Sequence, residues 1–300
     1  MGKVQSLSVV VPTRKCINQC KFCVSRLVDD NDKYEDMLNN NNIYYNLYER
    51  DYKQRLQFAQ DRGCDTIILT GNGEPQQNKS FLMNFGSINK SLSKPFSKIE
   101  LQTTGVMLDG DYLYFLRNHV GIKTISLSIS SFDEHRNKLN MQYNDSMKFL
   151  SFEKLVEEIK VRRFNLRISI NLTSDFDDIS VEKIFRIVKE KFRADQVTFR
   201  VLYNDDNYME KEDGAKIHNW IEKNKAKDET VERINDYIKE NGRALEKLDF
   251  GLVKYSVNGI GTVVDDDCMN EEVKNDIKYF ILRPNCKLYT KWDDEGSLIY

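Results

Sequence analysis

Residues 123–130 run Lys-Thr-Ile-Ser-Leu-Ser-Ile-Ser, and residues 165–173 run Asn-Leu-Arg-Ile-Ser-Ile-Asn-Leu-Thr. In the first stretch Ile125, Leu127 and Ile129 alternate with Ser126, Ser128 and Ser130; in the second, Ile168, Ile170 and Leu172 alternate with Arg167, Ser169, Asn171 and Thr173. A period of two puts each set on one face of a β-strand. Glu100, Gln102 and Thr104 repeat the pattern upstream, and Thr198 and Arg200 repeat it downstream. Parallel strands covered on both faces read as continuous apolar runs. One polar face recurring on four strands therefore predicts a polar lumen that holds a ligand, with helices over the apolar face.

Working outward, strands are expected at 6–12, 65–70, 98–104, 123–130, 165–173 and 196–203, each rich in β-branched or apolar residues. Between them, Phe152, Leu155, Val156 and Ile159, and again Val181, Ile184, Phe185 and Val188, follow the helical i, i+3, i+4, i+7 spacing. Tyr44, Tyr48, Tyr52 and Leu56 line a further helix, and shorter helices are expected at 81–92 and 112–118. Six strands alternating with helices give an α/β fold with parallel strands and crossover helices. The fold class is a partial (βα)6 TIM-type barrel with a β-rich C-terminal cap. The core barrel covers residues 1–205. Residues 206–300 supply amphipathic helices at 215–225 and 231–241, then β-hairpins turning at Asn258-Gly259, Pro284-Asn285 and 293–296, as a cap closing the open side.

Composition narrows the function classes. Apolar residues make 40% and charged residues 31% of the 300, with only 4 prolines and 14 glycines, which is globular rather than disordered. Lysine plus arginine (45) nearly balances aspartate plus glutamate (47), which argues against a binder of nucleic-acid backbone. No apolar run reaches the ~20 residues of a membrane span. The first residues fit a loose myristoylation pattern but read as leading into a buried strand, not as a signal peptide. A cytoplasmic protein without a membrane partner is expected.

Of six cysteines, Cys16, Cys20 and Cys23 fall on the loop after the first strand, the end where such barrels place their active sites. Three soft thiolates on one loop suit zinc or an iron–sulfur cluster. A closed zinc site wants four ligands, and no fourth cysteine or histidine lies nearby in the sequence. A zinc or simple electron-carrying module is thus the reading from a different class; a four-iron cube with one open iron is the sharper one.

The C-x3-C-x2-C spacing, with Phe22 before the last cysteine, resembles the radical S-adenosylmethionine (radical SAM) enzymes. The resemblance covers roughly residues 6–205. It implies that Cys16, Cys20 and Cys23 each hold one iron of a [4Fe–4S] cluster, whose fourth iron is chelated by S-adenosylmethionine, and that reductive cleavage yields a 5′-deoxyadenosyl radical that abstracts hydrogen from substrate. Thr70-Gly71-Asn72-Gly73-Glu74-Pro75 is similar to the family's G-G-E-P segment, with Asn72 breaking the double glycine. It implies that Gly71, Gly73 and Glu74 meet the amino group of S-adenosylmethionine, the glycines by close backbone approach. Thr104, Ser128, Ser130, Asn171, Arg200 and Leu202 stand at strand ends where the family contacts ribose, carboxylate or adenine. An external electron donor such as flavodoxin or ferredoxin is implied as a partner.

The substrate expectation is a small polar or anionic molecule, with Arg167 and Arg200 as anchors and Glu100 able to satisfy one of them; a peptide, protein or tRNA is the alternative. No catalytic side chain is named by the sequence. Cys64 reads as a packing residue. Cys268 and Cys286, without C-x2-C partners, do not make a second cluster. His119, His135 and His218 read as structural, and the Tyr44, Tyr45, Tyr48 and Tyr52 cluster as helix packing.

Overall fold

The computed structural model describes residues 4–27, 41–144, 146–147, 149–204, 209, 212–247, 252–265, 277, 279–292 and 295–300. Six strands follow the expected alternation: β1 (Ser6–Val10), β2 (Thr66–Thr70), β3 (Lys98–Thr103), β4 (Thr124–Ile129), β5 (Asn165–Leu172) and β6 (Gln196–Val201). They pair in sequence order, all parallel. The helices between them are α1 (Asn41–Asp61), α2 (Lys79–Ser91), α3 (Gly110–Phe115), α4 (Glu134–Met141), α5 (Phe152–Val161) and α6 (Val181–Glu190).

Helices α2 to α6 each start where a short polar side chain caps them. Asn78, Asp109, Asp133, Ser151 and Ser180 accept the backbone N–H three residues on, satisfying a donor the first turn leaves open. The apolar stripes then face the sheet: Leu155, Val156 and Ile159 of α5, and Ile184, Phe185 and Val188 of α6, are buried against the apolar faces of β4, β5 and β6. Helix α4 escaped the sequence reading because only Asn137 and Met141 on it are buried, so it has no apolar stripe. Tyr52 and Leu56 of α1 are buried as expected, while the side chains of Tyr44, Tyr45 and Tyr48 lie outside the described residues.

The C-terminal part is β-rich, as expected, and its strands extend the barrel sheet at both edges. The chain continues with α7 (Glu212–Asn224), α8 (Asp228–Asn241), β7 (Gly242–Lys247), β8 (Val253–Val257), β9 (Ile260–Asp265), β10 (Tyr279–Leu282) and β11 (Leu288–Tyr289). The sheet order is β11-β10-β1-β2-β3-β4-β5-β6-β9-β8-β7. β9 runs parallel to β6 and β10 parallel to β1, so eight parallel strands form an unclosed barrel wall with antiparallel strands at each edge. The physical reason is visible in the sequence of each added strand: Phe280 and Leu282 are buried with the β1 side chains, and Thr262 and Ile260 with the β6 end. The β8–β9 hairpin turns at Asn258 and Gly259, both with positive φ, the two-residue turn that matches strand twist. Among the described residues no helix is long and apolar enough to cross a membrane.

Coverage of the cysteine loop comes from α7. Its Ile217 and Ile221 form a second core with Phe22, Leu27, Met141 and Leu202. Trp220 lies 5.7 Å from the Phe22 ring, and Asp213 pairs with Arg26 at 3.4 Å.

Candidate active site

At the C-terminal end of the strands a cavity of about 230 Å³ opens. Cys16, Cys20 and Cys23 line it, together with Gly71, Gly73, Glu74, Thr104, Ser128, Asn171, Arg200 and Leu202. Ser130 does not. One residue past the end of β4, it is fully buried, with its N–H and hydroxyl both on Asn137 Oδ1 at 2.8 and 3.3 Å. Its alternation with Ser128 stops where the strand stops. Gln102, Met141 and Tyr203 also line the cavity; alternation marks the lumen face of Gln102, while no local pattern marks the other two side chains.

Burial pushes the Cys16 thiol up to about 12, with the nearby Glu74 carboxylate adding to it; N–H groups of Asn18 and Glu74 pull the other way. The Cys20 thiol is raised too, first by burial and then by its neighbours Cys23 and Cys16. Burial thus favours the protonated thiols, and a bound cation would draw off their protons. Cys20 Sγ sits 3.5 Å from Met141 Sδ, and Cys23 Sγ 3.0 Å from Ser25 Oγ.

Glu74 is the most heavily bonded group at the site. Its Oε1 accepts from Thr104 Oγ1 (2.6 Å), Thr104 N–H (3.1 Å) and Asn18 Nδ2 (3.4 Å). Its Oε2 accepts from Thr103 Oγ1 and Gln76 Nε2, both at 2.7 Å. Burial raises its pKa and these bonds hold it back. A carboxylate so surrounded has most of its acceptor sites engaged by the protein, while the residue still lines the cavity.

The glycines are also re-read. A Cβ at Gly71 would come within 2.7 Å of the Val11 carbonyl oxygen, and one at Gly73 within 2.5 Å of Thr13 Oγ1 and 3.2 Å of the Cys16 Cα. What these positions admit is the close packing of the loop after β2 against the loop after β1.

Both proposed anchors are already partnered. Arg167 pairs with Glu100 at 2.7 Å and donates twice to Gln196 Oε1, and it does not line the cavity. Arg200 pairs with Asp265 of β9 at 3.2 Å and donates to Ser169 Oγ at 2.9 Å. The sequence reading offered Glu100 but not Asp265, because nothing local marks β9 as the neighbour of β6. Cys64 and Cys286 are buried free thiols; Cys268 lies outside the described residues.

A model of the radical SAM superfamily matches residues 10–173, from the last residue of β1 to just past β5. The chain belongs to the radical SAM superfamily. It is therefore an enzyme whose chemistry uses S-adenosylmethionine. Among solved structures it is similar to native anSMEcpe with bound AdoMet, at 17% identity and a TM-score of 0.55 over 98% of this chain and 76% of that one. It is also similar to coproporphyrinogen III oxidase (HemN) from Escherichia coli, a radical SAM enzyme, at 14% identity and a TM-score of 0.54 over 80% of this chain. The chain spans 54% of that enzyme. At such identities the likeness is one of fold. No curated protein matches the chain.

The residues fit the metal group this family implies. The donors on the loop are three sulfurs, which suit iron–sulfur ligation. Asn18 Oδ1 and Thr13 Oγ1, both on the same loop, are buried without a protein partner, leaving polar capacity beside the cavity. Among the described residues no three His, Cys, Asp or Glu side chains are grouped to hold one metal ion.

Proposed function

We propose that Cys16, Cys20 and Cys23 hold a [4Fe–4S] cluster and that the cavity beside them takes S-adenosylmethionine, so that the enzyme abstracts hydrogen from a small polar substrate. The observation that carries this is the convergence on one cavity of three thiols from a single loop with Thr104, Ser128, Asn171 and Arg200 from four different strand ends. When bound, the cluster and S-adenosylmethionine supply reductive carbon–sulfur cleavage.

The chain's own residues bind, orient and exclude water. The backbone from Thr70 to Glu74 walls one side. Ser128, Asn171 and Arg200 offer hydroxyl, amide and guanidinium groups on the other, and Leu202 with Phe22 and Met141 supplies an apolar edge. Arg167 and Arg200 each have a carboxylate partner, so neither of them requires an anionic substrate. The substrate is polar and carries no need for net negative charge. A flavodoxin- or ferredoxin-like protein delivers the electron, and reduced thiols as ligands suit the cytoplasm.

Anaerobic reconstitution with iron and sulfide tests this. Wild type should gain a broad absorption near roughly 400 nm from thiolate-to-iron charge transfer and, once reduced, convert S-adenosylmethionine slowly to 5′-deoxyadenosine. Cys20→Ala should do neither. Colourless, zinc-loaded wild type would favour the non-catalytic module, and full cleavage by Cys20→Ala would remove the assignment.

A further inference from the structure

The three cysteines are held in place by three different devices. The backbone around Cys20 is pinned to the end of α4 by main-chain bonds: Gln19 N–H donates to Gln142 O at 3.4 Å and Lys21 N–H to Asn140 O at 3.0 Å. Cys23 sits in a local turn, its N–H on Cys20 O and its own carbonyl receiving Arg26 N–H, both at 3.2 Å. Cys16 is held by a side chain. Gln77 Nε2 donates to Lys15 O at 2.9 Å, and Ile17 N–H donates to Gln77 Oε1 at 3.1 Å. One amide thus grips the backbone immediately before and after Cys16.

The same oxygen does more. Gln77 Oε1 also receives Glu74 N–H at 3.1 Å, so one amide oxygen ties the loop after β2 to the backbone beside Cys16. Next to Gln77, Asn78 Nδ2 donates to Pro12 O at 2.9 Å where the loop leaves β1. Asn18, two residues past Cys16, is clamped by Glu74 and by Thr104 Oγ1 at 2.8 Å. Residues 74–78 therefore meet the cysteine loop along its first half, and Gln77 is the contact that brackets a ligand residue.

We propose that Gln77 is the positioning residue for Cys16, fixing that thiol's backbone against the loop after β2 so that it is oriented before any cluster binds. Its function rests on the cluster assignment above; its geometry does not. Removing the amide frees two backbone groups next to Cys16 and leaves the main-chain bonds around Cys20 untouched. The effect is therefore selective for one of three thiols on an eight-residue stretch, which a general loss of stability would not be.

The test reads iodoacetamide alkylation of each cysteine by peptide mass spectrometry, in metal-free, full-length protein under reducing, anaerobic conditions at one pH. Gln77→Ala should speed alkylation of Cys16 by about fivefold or more, the size expected from freeing the backbone bonds that oppose local opening. Cys20 should change by less than about twofold, and Cys64 and Cys286 should keep their wild-type rates. Gln77→Glu retains an oxygen that can receive Ile17 and Glu74 N–H but sets its second oxygen against the Lys15 carbonyl in place of a donor, so it should give a smaller rise at Cys16. In reconstituted protein, Gln77→Ala should surrender iron to a chelator faster than wild type, with Gln77→Glu between them. The proposal is overturned if Cys16 in Gln77→Ala stays within about twofold of wild type, or if Cys16, Cys20 and Cys64 accelerate together. If Gln77→Ala does not fold, wild-type alkylation of Cys16 in Gln77→Glu overturns it instead. Failure of wild-type protein to take up iron counts against the cluster, and the alkylation pattern still decides the role of Gln77.

Discussion

Near the N-terminal ends of the strands, Arg167 is locked by Glu100 at 2.7 Å and by two bonds to Gln196, at 3.0 and 2.6 Å, with Glu100 buried. Near the C-terminal ends, Arg200 has one carboxylate contact, to Asp265 at 3.2 Å, and one hydroxyl, and it faces the cavity. The two arginines share a polar lumen face and differ in height. The floor of the lumen is a closed polar cluster whose donors are committed to the protein. The mouth is looser, with fewer protein bonds to its guanidinium group. This is the division of labour expected of barrel-type sheets, stability at the N-terminal face and chemistry at the C-terminal face.

The largest contrast should appear in stability. Arg167→Gln leaves Glu100 buried without its cation and should cost about 3 kcal/mol, whereas Arg200→Gln, at a site one-third exposed, should cost about 1 kcal/mol or less. Urea unfolding of the two variants measures the gap, and equal losses would erase the distinction between floor and mouth. Ligand binding should reverse the order. Arg200→Gln should weaken S-adenosylmethionine by roughly tenfold, the loss of one charge-assisted hydrogen bond, while folded Arg167→Gln binds it as wild type does; calorimetry on reconstituted protein would show which arginine matters.

A smaller effect sharpens what the mouth is made of. Gly73→Ala puts a Cβ against Thr13 Oγ1 and close to Cys16 Cα, so about 1–2 kcal/mol of overpacking strain is expected, with lower iron uptake on reconstitution. Thr13→Ala in the same chain should recover part of both; no recovery would mean that the glycine serves the ligand rather than the loop packing. The smallest effect lies outside the lumen. Burial raises the Cys64 and Cys286 thiols from 9.0 to about 12. Between those values the unfolded thiols give up protons that the folded ones keep, so stability should fall as pH rises through that window. Cys64→Ala should shallow that alkaline limb in a pH series of unfolding curves, and an unchanged limb would refute the shift at Cys64.

Much of this molecule was legible before its structure. Six strands came from alternation and apolar runs, because a half-polar strand leaves a period of two whatever surrounds it. The three cysteines came from spacing, because ligands on one loop are neighbours in sequence as well as in space. Helix α4 was missed for want of an apolar stripe, and Gln77 for want of any pattern at all, since a single amide gripping a loop sixty residues away leaves no periodic trace. The glycines of the Gly71–Glu74 segment were found by motif and assigned to the ligand; their near neighbours turn out to be Val11, Thr13 and Cys16.

By itself the sequence determined the local conformations, the lumen-facing residues of β3 to β6 and the thiol set, all of which depend on interactions within a few residues. Only the tertiary structure decided which charges cancel. Arg200 meets Asp265 because β9 docks beside β6, and Glu74 is heavily bonded because the ends of β2 and β3 and the cysteine loop converge on it. Electrostatic pairing and hydrogen-bond saturation depend on distances of about three ångströms between groups far apart in the chain, and those distances exist only once the sheet has formed.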